Sequence, residues 1–382
     1  MGPVQWESHN PEGPKRVIVT KQLPGSRWLE VLTGAGCRVE VCTATAVLST
    51  AEIIAAMGQR CDGAIGQLTE AWGGGLFSAL KAAGGTAYSN YAAGFDNVDL
   101  KAATRVGIPV GNTPGVLTDT TAEMAVALTF AAARRVGESE RFLRAGRFGG
   151  WLPTLLLGDL LRGKTVGVIG AGRIGAAYAR MMVAGNRMNL VYFDLHGNAE
   201  LEQYVADYAA FLQAHGQPRV TCRRMARVED LLREADVVSI HTLLDDSTRH
   251  LIDAERLNIM KANALLVNTS RGPVIDETAL VEHCRTHPNF RAGLDVFEKE
   301  PDLAPGLAAL ENVVIVPHIA SATRWTREGM ATLAASNVAA LLMGYPAWNR
   351  PDIMPFLGDR PPQAAPSILN AEALGIPLYR EE

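Results

Sequence analysis

"KTVGVIGAGRIGAAYARMM", Lys164 to Met182, decides how the rest of the chain is read. An apolar run of strand character stops at Gly170, two more glycines follow at Gly172 and Gly175, and a stretch rich in alanine and methionine then favours a helix. Each glycine has a physical task in a strand-to-helix turn that receives a dinucleotide. Gly170 permits the tight turn, Gly172 lets the main chain approach a pyrophosphate, and Gly175 lets the helix pack closely. The helix N-terminus then offers unpaired N–H groups to the phosphates. The spacing alone arises easily by chance in a chain with 37 glycines, so its surroundings carry the inference.

Asp194 is the first of those surroundings. It ends the apolar run "NLVYFD", 19 positions beyond Gly175 (194 − 175), where an acid accepts hydrogen bonds from the adenosine ribose hydroxyls. A carboxylate there repels a 2′-phosphate, so NAD is expected as cofactor, with NADH preferred over NADPH. Arg187 and His196 are the nearest bases in sequence and read as solvated surface charges.

The chain of 382 residues is longer than one hydrophobic core usually supports, so two domains are expected. Its net charge of −4, with no basic run interleaved with aromatics, argues against a nucleic-acid partner. The five cysteines form no CxxC pair and no zinc spacing, which suggests a reducing compartment and no metal site. The first twenty residues have neither signal-peptide nor transit-peptide character. The most apolar helical stretch, Ala122 to Arg135, is shorter than the roughly 20 residues a bilayer requires. It reads as a buried helix, and no membrane partner is expected.

From Arg16, short apolar strands alternate with helical stretches: "RVIVT", "SRWLEVLTGAG", "RVEVC", "STAEIIAAMG", "CDGAIGQ", then "GTAYSN" and "GIPVGNTPG". Such alternation predicts parallel βα units. "TDTTAE" from Thr118 supplies hydroxyls and an acid to start a long helix. Beyond the glycine turn, "LVYFD", "RVTC", "ADVVSIHT", "ALLVNTSRG", "RAGLDVF" and "VVIVPHIA" predict a second doubly wound sheet. The helical run Ser321 to Gly344 returns the chain to the first domain. The expected fold is therefore α/β, with two doubly wound domains. A Rossmann dinucleotide-binding domain, residues 121–320, is inserted in a flavodoxin-like substrate domain, residues 1–120 and 321–382. The proline-dense tail from Tyr345 reads as an extended segment draped over a surface.

Three polar residues stand just beyond later strands, where open α/β sheets bind ligands. They are Arg271 in "NTSRGPVIDE", Glu300 in "LDVFEKEP" and His318 in "PHIASAT". An arginine fork can hold a 2-keto acid's carboxylate and polarise its carbonyl. A histidine can donate the proton that the carbonyl oxygen needs as hydride arrives, and a glutamate bonded to it orients the ring and raises its pKa. Spacing does not choose between Glu298 and Glu300.

The blocks "GAGRIG", "NTSRGPVIDETAL", "GLDVFEKEP" and "PHIASAT" resemble the motifs of the D-2-hydroxyacid dehydrogenase family. The resemblance spans nearly the whole chain. It implies that Arg271 binds substrate, that Glu300 rather than Glu298 partners the histidine, and that His318 is the proton donor. "CDGAIGQLTE", "GNTPGVLTDTTAE", "PSILNAEALGIP" and the long insertion after Asp194 are most similar to the plant-type NADH-dependent hydroxypyruvate reductases, or glycerate dehydrogenases, of photorespiration. On the same grounds, Arg173, Ile174, His241, Thr269 and Asp295 are expected to contact the cofactor. Gln67, Ala93, Gly94, Arg271 and His318 are expected to contact the substrate.

Family kinship further implies a homodimer whose arm includes the long helix and "GRFGGWLP" with Trp151. The ending "LYREE" differs from the Ser-Lys-Leu type of peroxisomal tripeptide, which points to the cytoplasm or an organelle matrix reached by a separate transit peptide. Other readings are a different 2-hydroxyacid substrate, such as glyoxylate, D-lactate, formate or phosphoglycerate, and a non-enzymatic NAD-sensing corepressor on the same fold.

Overall fold

The structure is a computed structural model that describes residues 5–380. Residues 1–4 and 381–382, on which the readings of the two chain ends partly fall, lie outside the described residues. The chain divides into two compact units, Met1–Leu117 with Ala322–Glu382, and Thr118–Ser321.

The first unit alternates strands and helices: β1 (Trp6–His9), β2 (Lys15–Val19), α1 (Arg27–Gly34), β3 (Cys37–Cys42), α2 (Thr50–Met57), β4 (Gly63–Gly66), α3 (Gly74–Ala82), β5 (Ala87–Asn90), α4 (Leu100–Arg105) and β6 (Val110–Gly111). Its sheet runs β1-β3-β2-β4-β5-β6. Every pairing is parallel except that of β1 with β3. Parallel strands covered on both faces read as unbroken apolar runs, and Val17, Ile18 and Val19 are accordingly fully buried. β1 escapes that signal because "WESH" is an antiparallel edge strand with Glu7 and Ser8 exposed.

The second unit holds α5 (Thr118–Ala133), α6 (Val136–Arg144), β7 (Thr165–Ile169), α7 (Arg173–Asn186), β8 (Asn189–Phe193), α8 (Ala199–Ala214), β9 (Cys222–Arg224), α9 (Val228–Glu234), β10 (Val237–Ile240), α10 (Ala254–Ile259), β11 (Leu265–Asn268), α11 (Glu277–Thr286), β12 (Arg291–Leu294) and β13 (Val313–Ile315). Its seven-stranded sheet runs β13-β12-β11-β10-β7-β8-β9. All pairings are parallel. The chain moves outward from β7 through β8 to β9 and crosses back to β10, so the order reverses between β7 and β10. That reversal is where doubly wound sheets open a crevice for a ligand. The expected buried helix is α5, whose Ala122, Ala125, Leu128, Ala132 and Ala133 join one core layer with α7 and α8. The insertion after Asp194 becomes α8, capped by Asn198, whose side chain accepts from Leu201 N at 2.9 Å.

The last helix, α12 (Arg324–Leu342), packs against α1 and β5 of the first unit and is buried along most of its length. The tail that follows departs from expectation. Ala347, Ala365, Ile368 and Ala371 form a buried cluster with Ala340 of α12, and Trp348 and Phe356 enter the main core of this unit. Asn370 ties the tail to the sheet, with its Oδ1 accepting from Val110 N at 2.9 Å and its Nδ2 donating to Ile108 O at 3.0 Å. Apart from one short 3-10 helix, Met354–Leu357, the tail meets its main-chain needs through such contacts and isolated bridges instead of a long helix or a ladder. It therefore has no periodicity to read.

Candidate active site

In the second unit, the predicted residues gather along one edge of the sheet because each follows the carboxyl end of a strand. The glycine turn follows β7, Asp194 follows β8, and His241 follows β10. Thr269 and Arg271 follow β11, Asp295 and Glu300 follow β12, and His318 follows β13. Gln67, Ala93 and Gly94 belong to the first unit, where they follow β4 and β5.

The turn after β7 has room for a dinucleotide. Gly170 adopts φ +89°, in the left-handed region. A Cβ on Gly175 would lie 1.9 Å from Gly170 O, whereas one on Gly172 would meet nothing within 4 Å. Gly172 is thus the open face of the turn. Arg173, Ile174 and Gly175 form the first turn of α7, where N–H groups lack intrahelical acceptors. The Asp194 carboxylate is held at the rim, accepting from Ala171 N at 2.8 Å and His196 N at 3.0 Å. Of the two bases near it in sequence, Arg187 pairs with Gln217 and His196 is exposed, while Arg224 from β9 also reaches this segment. Its guanidinium donates to the carbonyls of Asp194 and Leu195.

Two buried polar atoms near the sheet switch, Nδ1 of His241 and Oγ1 of Thr269, have no partner among the described residues. Buried polar atoms are normally paired, so a polar ligand such as a nicotinamide dinucleotide fits this edge. The other ring nitrogen of His241 pairs with Ser239 Oγ at 2.8 Å, and burial pushes the imidazole down to about 3, keeping it neutral. Asp295 is fully buried, and its oxygens accept from Ile319 N at 2.6 Å and Ala320 N at 2.9 Å. In this structure its carboxylate braces the turn that carries His318.

The reactive end is built from three adjacent strand ends. His318 Nδ1 lies 2.9 Å from Glu300 Oε2, while Glu300 Oε1 accepts from Phe297 N at 3.0 Å. Burial works to raise the Glu300 carboxyl, but the hydrogen bond and charge of His318, aided by Arg271, outweigh it and hold the group below its ordinary value. His318 itself sits at φ +52°, a conformation that a β-carbon disfavours, and its N–H donates to Asp295 O at 2.8 Å. Glu298 has a different partner, His250 Nε2 at 2.9 Å. Arg271 Nη1 donates to Ser270 O at 2.9 Å, and Asn268 Nδ2 donates to Arg271 O at 2.9 Å. A cation suited to a carboxylate, a proton carrier and an ionised acid that orients it thus share one edge of one unit.

Glu277 was missed by sequence reading. It is almost fully buried, and its carboxylate accepts from Glu298 N at 2.6 Å and Ala304 N at 2.9 Å, bracing both sides of the segment that bears Glu300. The only available signal was an Asp-Glu pair, which Asp276 explains as the N-cap of α11, accepting from Ala279 N. Gly272 is a second brace, since a Cβ there would lie 1.9 Å from the main chain of Phe297.

Comparison with known proteins places the chain in a family. Residues 126–320 match the family described as D-isomer specific 2-hydroxyacid dehydrogenase, NAD binding domain. A glycerate dehydrogenase of Cucumis sativus is 58% identical over 98% of this chain and 99% of its own. The peroxisomal glycerate dehydrogenase of Arabidopsis thaliana is 57% identical over 99% of each. A crystal structure of a Thermus thermophilus protein superimposes with a TM-score of 0.76 at 38% identity, covering 93% of this chain and 99% of that one. The chain is therefore a member of the D-isomer specific 2-hydroxyacid dehydrogenases, which are NAD-dependent oxidoreductases.

Proposed function

We propose that this chain reduces hydroxypyruvate to D-glycerate with NADH, and glyoxylate to glycolate as a secondary activity, in the photorespiratory role of plant hydroxypyruvate reductases. The observation that carries this reading is the His318–Glu300 pair at 2.9 Å, one strand away from Arg271. The identity with two plant glycerate dehydrogenases over nearly the whole of both chains supports the choice of substrate.

Arg271 grips the keto acid's carboxylate and polarises its carbonyl. NADH, when bound, supplies the hydride that C2 receives. His318 gives a proton to the carbonyl oxygen, so the product carries one new C–H and one new O–H bond. Glu300 stays ionised and fixes the ring by holding Nδ1, leaving Nε2 to move the proton. In the first unit, the main chain at Ala93 and Gly94 binds a carboxylate, and Gln67, whose buried Nε2 has no partner among the described residues, binds a substrate oxygen.

The cofactor is held by the turn Gly170, Gly172, Arg173, Ile174 and Gly175, with His241, Thr269 and Asp295 at the nicotinamide end. The rim carboxylate of Asp194 supports a preference for NADH over NADPH. A homodimer is supported by apolar side chains left bare on the segment after α5, including Leu143, Phe148 and Leu160, with Trp151 82% exposed. The five free thiols support a reducing cytoplasm or organelle matrix. Among the described residues, no helix is long and apolar enough to cross a membrane.

The test follows NADH oxidation with hydroxypyruvate, glyoxylate, pyruvate and phosphohydroxypyruvate at equal concentrations, repeating the best with NADPH. The highest kcat/KM is expected for hydroxypyruvate with NADH. NADH binding without turnover of any keto acid would favour the corepressor reading instead.

A further inference from the structure

The loop after β5 has an unusual arrangement of its main chain. Three consecutive carbonyls are tied to the sheet. Ala92 O accepts from Thr113 N at 2.9 Å, Ala93 O from Asn112 Nδ2 at 2.7 Å, and Gly94 O from Asn90 Nδ2 at 3.0 Å. In a trans peptide the N–H points opposite to the carbonyl of the preceding residue. Tying the carbonyls of residues 92–94 inward therefore turns the N–H groups of Ala93, Gly94 and Phe95 outward. Among the described residues, none of these three N–H groups has a hydrogen-bond partner. Successive outward N–H groups form a concavity suited to an anion.

Two asparagine side chains set this geometry, and an asparagine amide can flip. Asn90 is locked by Asn97, which accepts from Asn90 Nδ2 at 3.0 Å and donates to Gln67 O and Glu70 O. Asn112 is locked from the far end of the chain. Ala93 O can only accept, so it sets which way the Asn112 amide faces, and Ser367 Oγ, donating to Asn112 Oδ1 at 2.6 Å, holds the other end of that amide in place. Asn337 of α12 holds both partners, donating to Asn112 O at 2.9 Å and accepting from Ser367 N at 2.9 Å.

We propose that the C-terminal tail is a positioning element for the carboxylate-binding loop, acting through the relay Ser367–Asn112–Ala93. The proposal rests on the reading that Ala93 and Gly94 receive the keto acid's carboxylate. Ser367 touches no substrate. It anchors the Asn112 side chain against Ala93 O, the carbonyl whose inward tie turns the loop's N–H groups outward, so the tail contributes to substrate affinity from a residue remote in sequence.

Ser367→Ala and Ser367→Thr test this in the full-length enzyme, read by steady-state kinetics with hydroxypyruvate, by NADH fluorescence titration and by amide hydrogen exchange of the segment 88–98. Ser367→Ala should raise KM about fivefold, the effect of losing one neutral hydrogen bond of about 1 kcal/mol. Its kcat should stay within about twofold of the parent and its NADH Kd should not move, because the cofactor turn lies in the other unit. Exchange at Val98, whose N–H is held by Phe95 O at 2.9 Å at the end of this loop, should quicken, and Ser367→Thr, which keeps the hydroxyl, should restore both KM and exchange. An active enzyme whose KM and exchange are unchanged in Ser367→Ala overturns the tail's role alone, whatever its melting temperature. A parent chain that turns over no keto acid overturns the functional reading and this proposal together.

Discussion

Nδ1 of His318 and Oε2 of Glu300 lie 2.9 Å apart, on segments that leave two neighbouring strands, β12 and β13, at the same edge of the sheet. The pair gives one nitrogen to orientation and leaves the other for chemistry. His318→Ala should lower kcat by about a thousandfold, as loss of a general acid does, while the Kd for NADH stays at the parent value. In Glu300→Gln the imidazolium loses an ionised neighbour, so the alkaline limb of kcat/KM for reduction should move to lower pH. An unaltered pH profile in that variant would remove Glu300 from the mechanism.

The same substitution at two glycines of the cofactor turn should have opposite consequences. Gly175→Ala places a Cβ 1.9 Å from Gly170 O, against rigid main chain, and should destabilise the second unit by about 1–3 kcal/mol. Gly172→Ala meets nothing within 4 Å and should leave the melting temperature in place while weakening NADH binding, because the methyl occupies the space a pyrophosphate needs. Thermal denaturation beside NADH titration separates the two effects.

Asp194 lies at the rim of that turn with its carboxylate held by two N–H groups. Asp194→Ala should lower kcat/KM with NADH about tenfold, the cost of one hydrogen bond to a charged acceptor at about 1.5 kcal/mol. It should also raise the relative use of NADPH, aided by Arg224, whose guanidinium binds the carbonyls of residues 194 and 195. An NADH to NADPH ratio unchanged from the parent would show that discrimination lies elsewhere.

Two histidines of the second unit shape its stability against pH. Burial depresses His241 to about 3, and burial with the neighbouring His287 depresses His283 to about 4, from an ordinary value of 6.5. Between those limits the unfolded chain binds more protons than the folded one, so stability falls as pH falls from about 6.5 towards about 4. Melting temperatures measured across this window should decline, and His283→Gln should flatten the slope. A parent protein equally stable at both ends would contradict the assignment.

How much was legible depended on how local each signal was. The strands β7, β8, β10 and β11 announced themselves because parallel strands buried on both faces are continuous apolar runs. The glycine turn was readable because three roles are packed into six residues, Gly170 to Gly175. β1 gave no such signal, being a short edge strand with two exposed polar residues. Glu277 was hidden by its neighbour Asp276, whose capping role accounts for an acidic pair at a helix start without calling for a brace.

The chain by itself determined the α/β class, the two doubly wound sheets and the set of chemistry-bearing residues at strand ends, because these follow from patterns within some tens of residues. Tertiary structure decided which acid meets which histidine: Glu300 with His318, and Glu298 with His250, two positions apart in sequence yet on different partners. It also drew a proline-rich tail into the core and set Ser367 against Asn112, 255 residues away. Such contacts leave no periodicity, because a hydrogen bond between distant segments constrains one residue on each, and only the folded chain brings the two together.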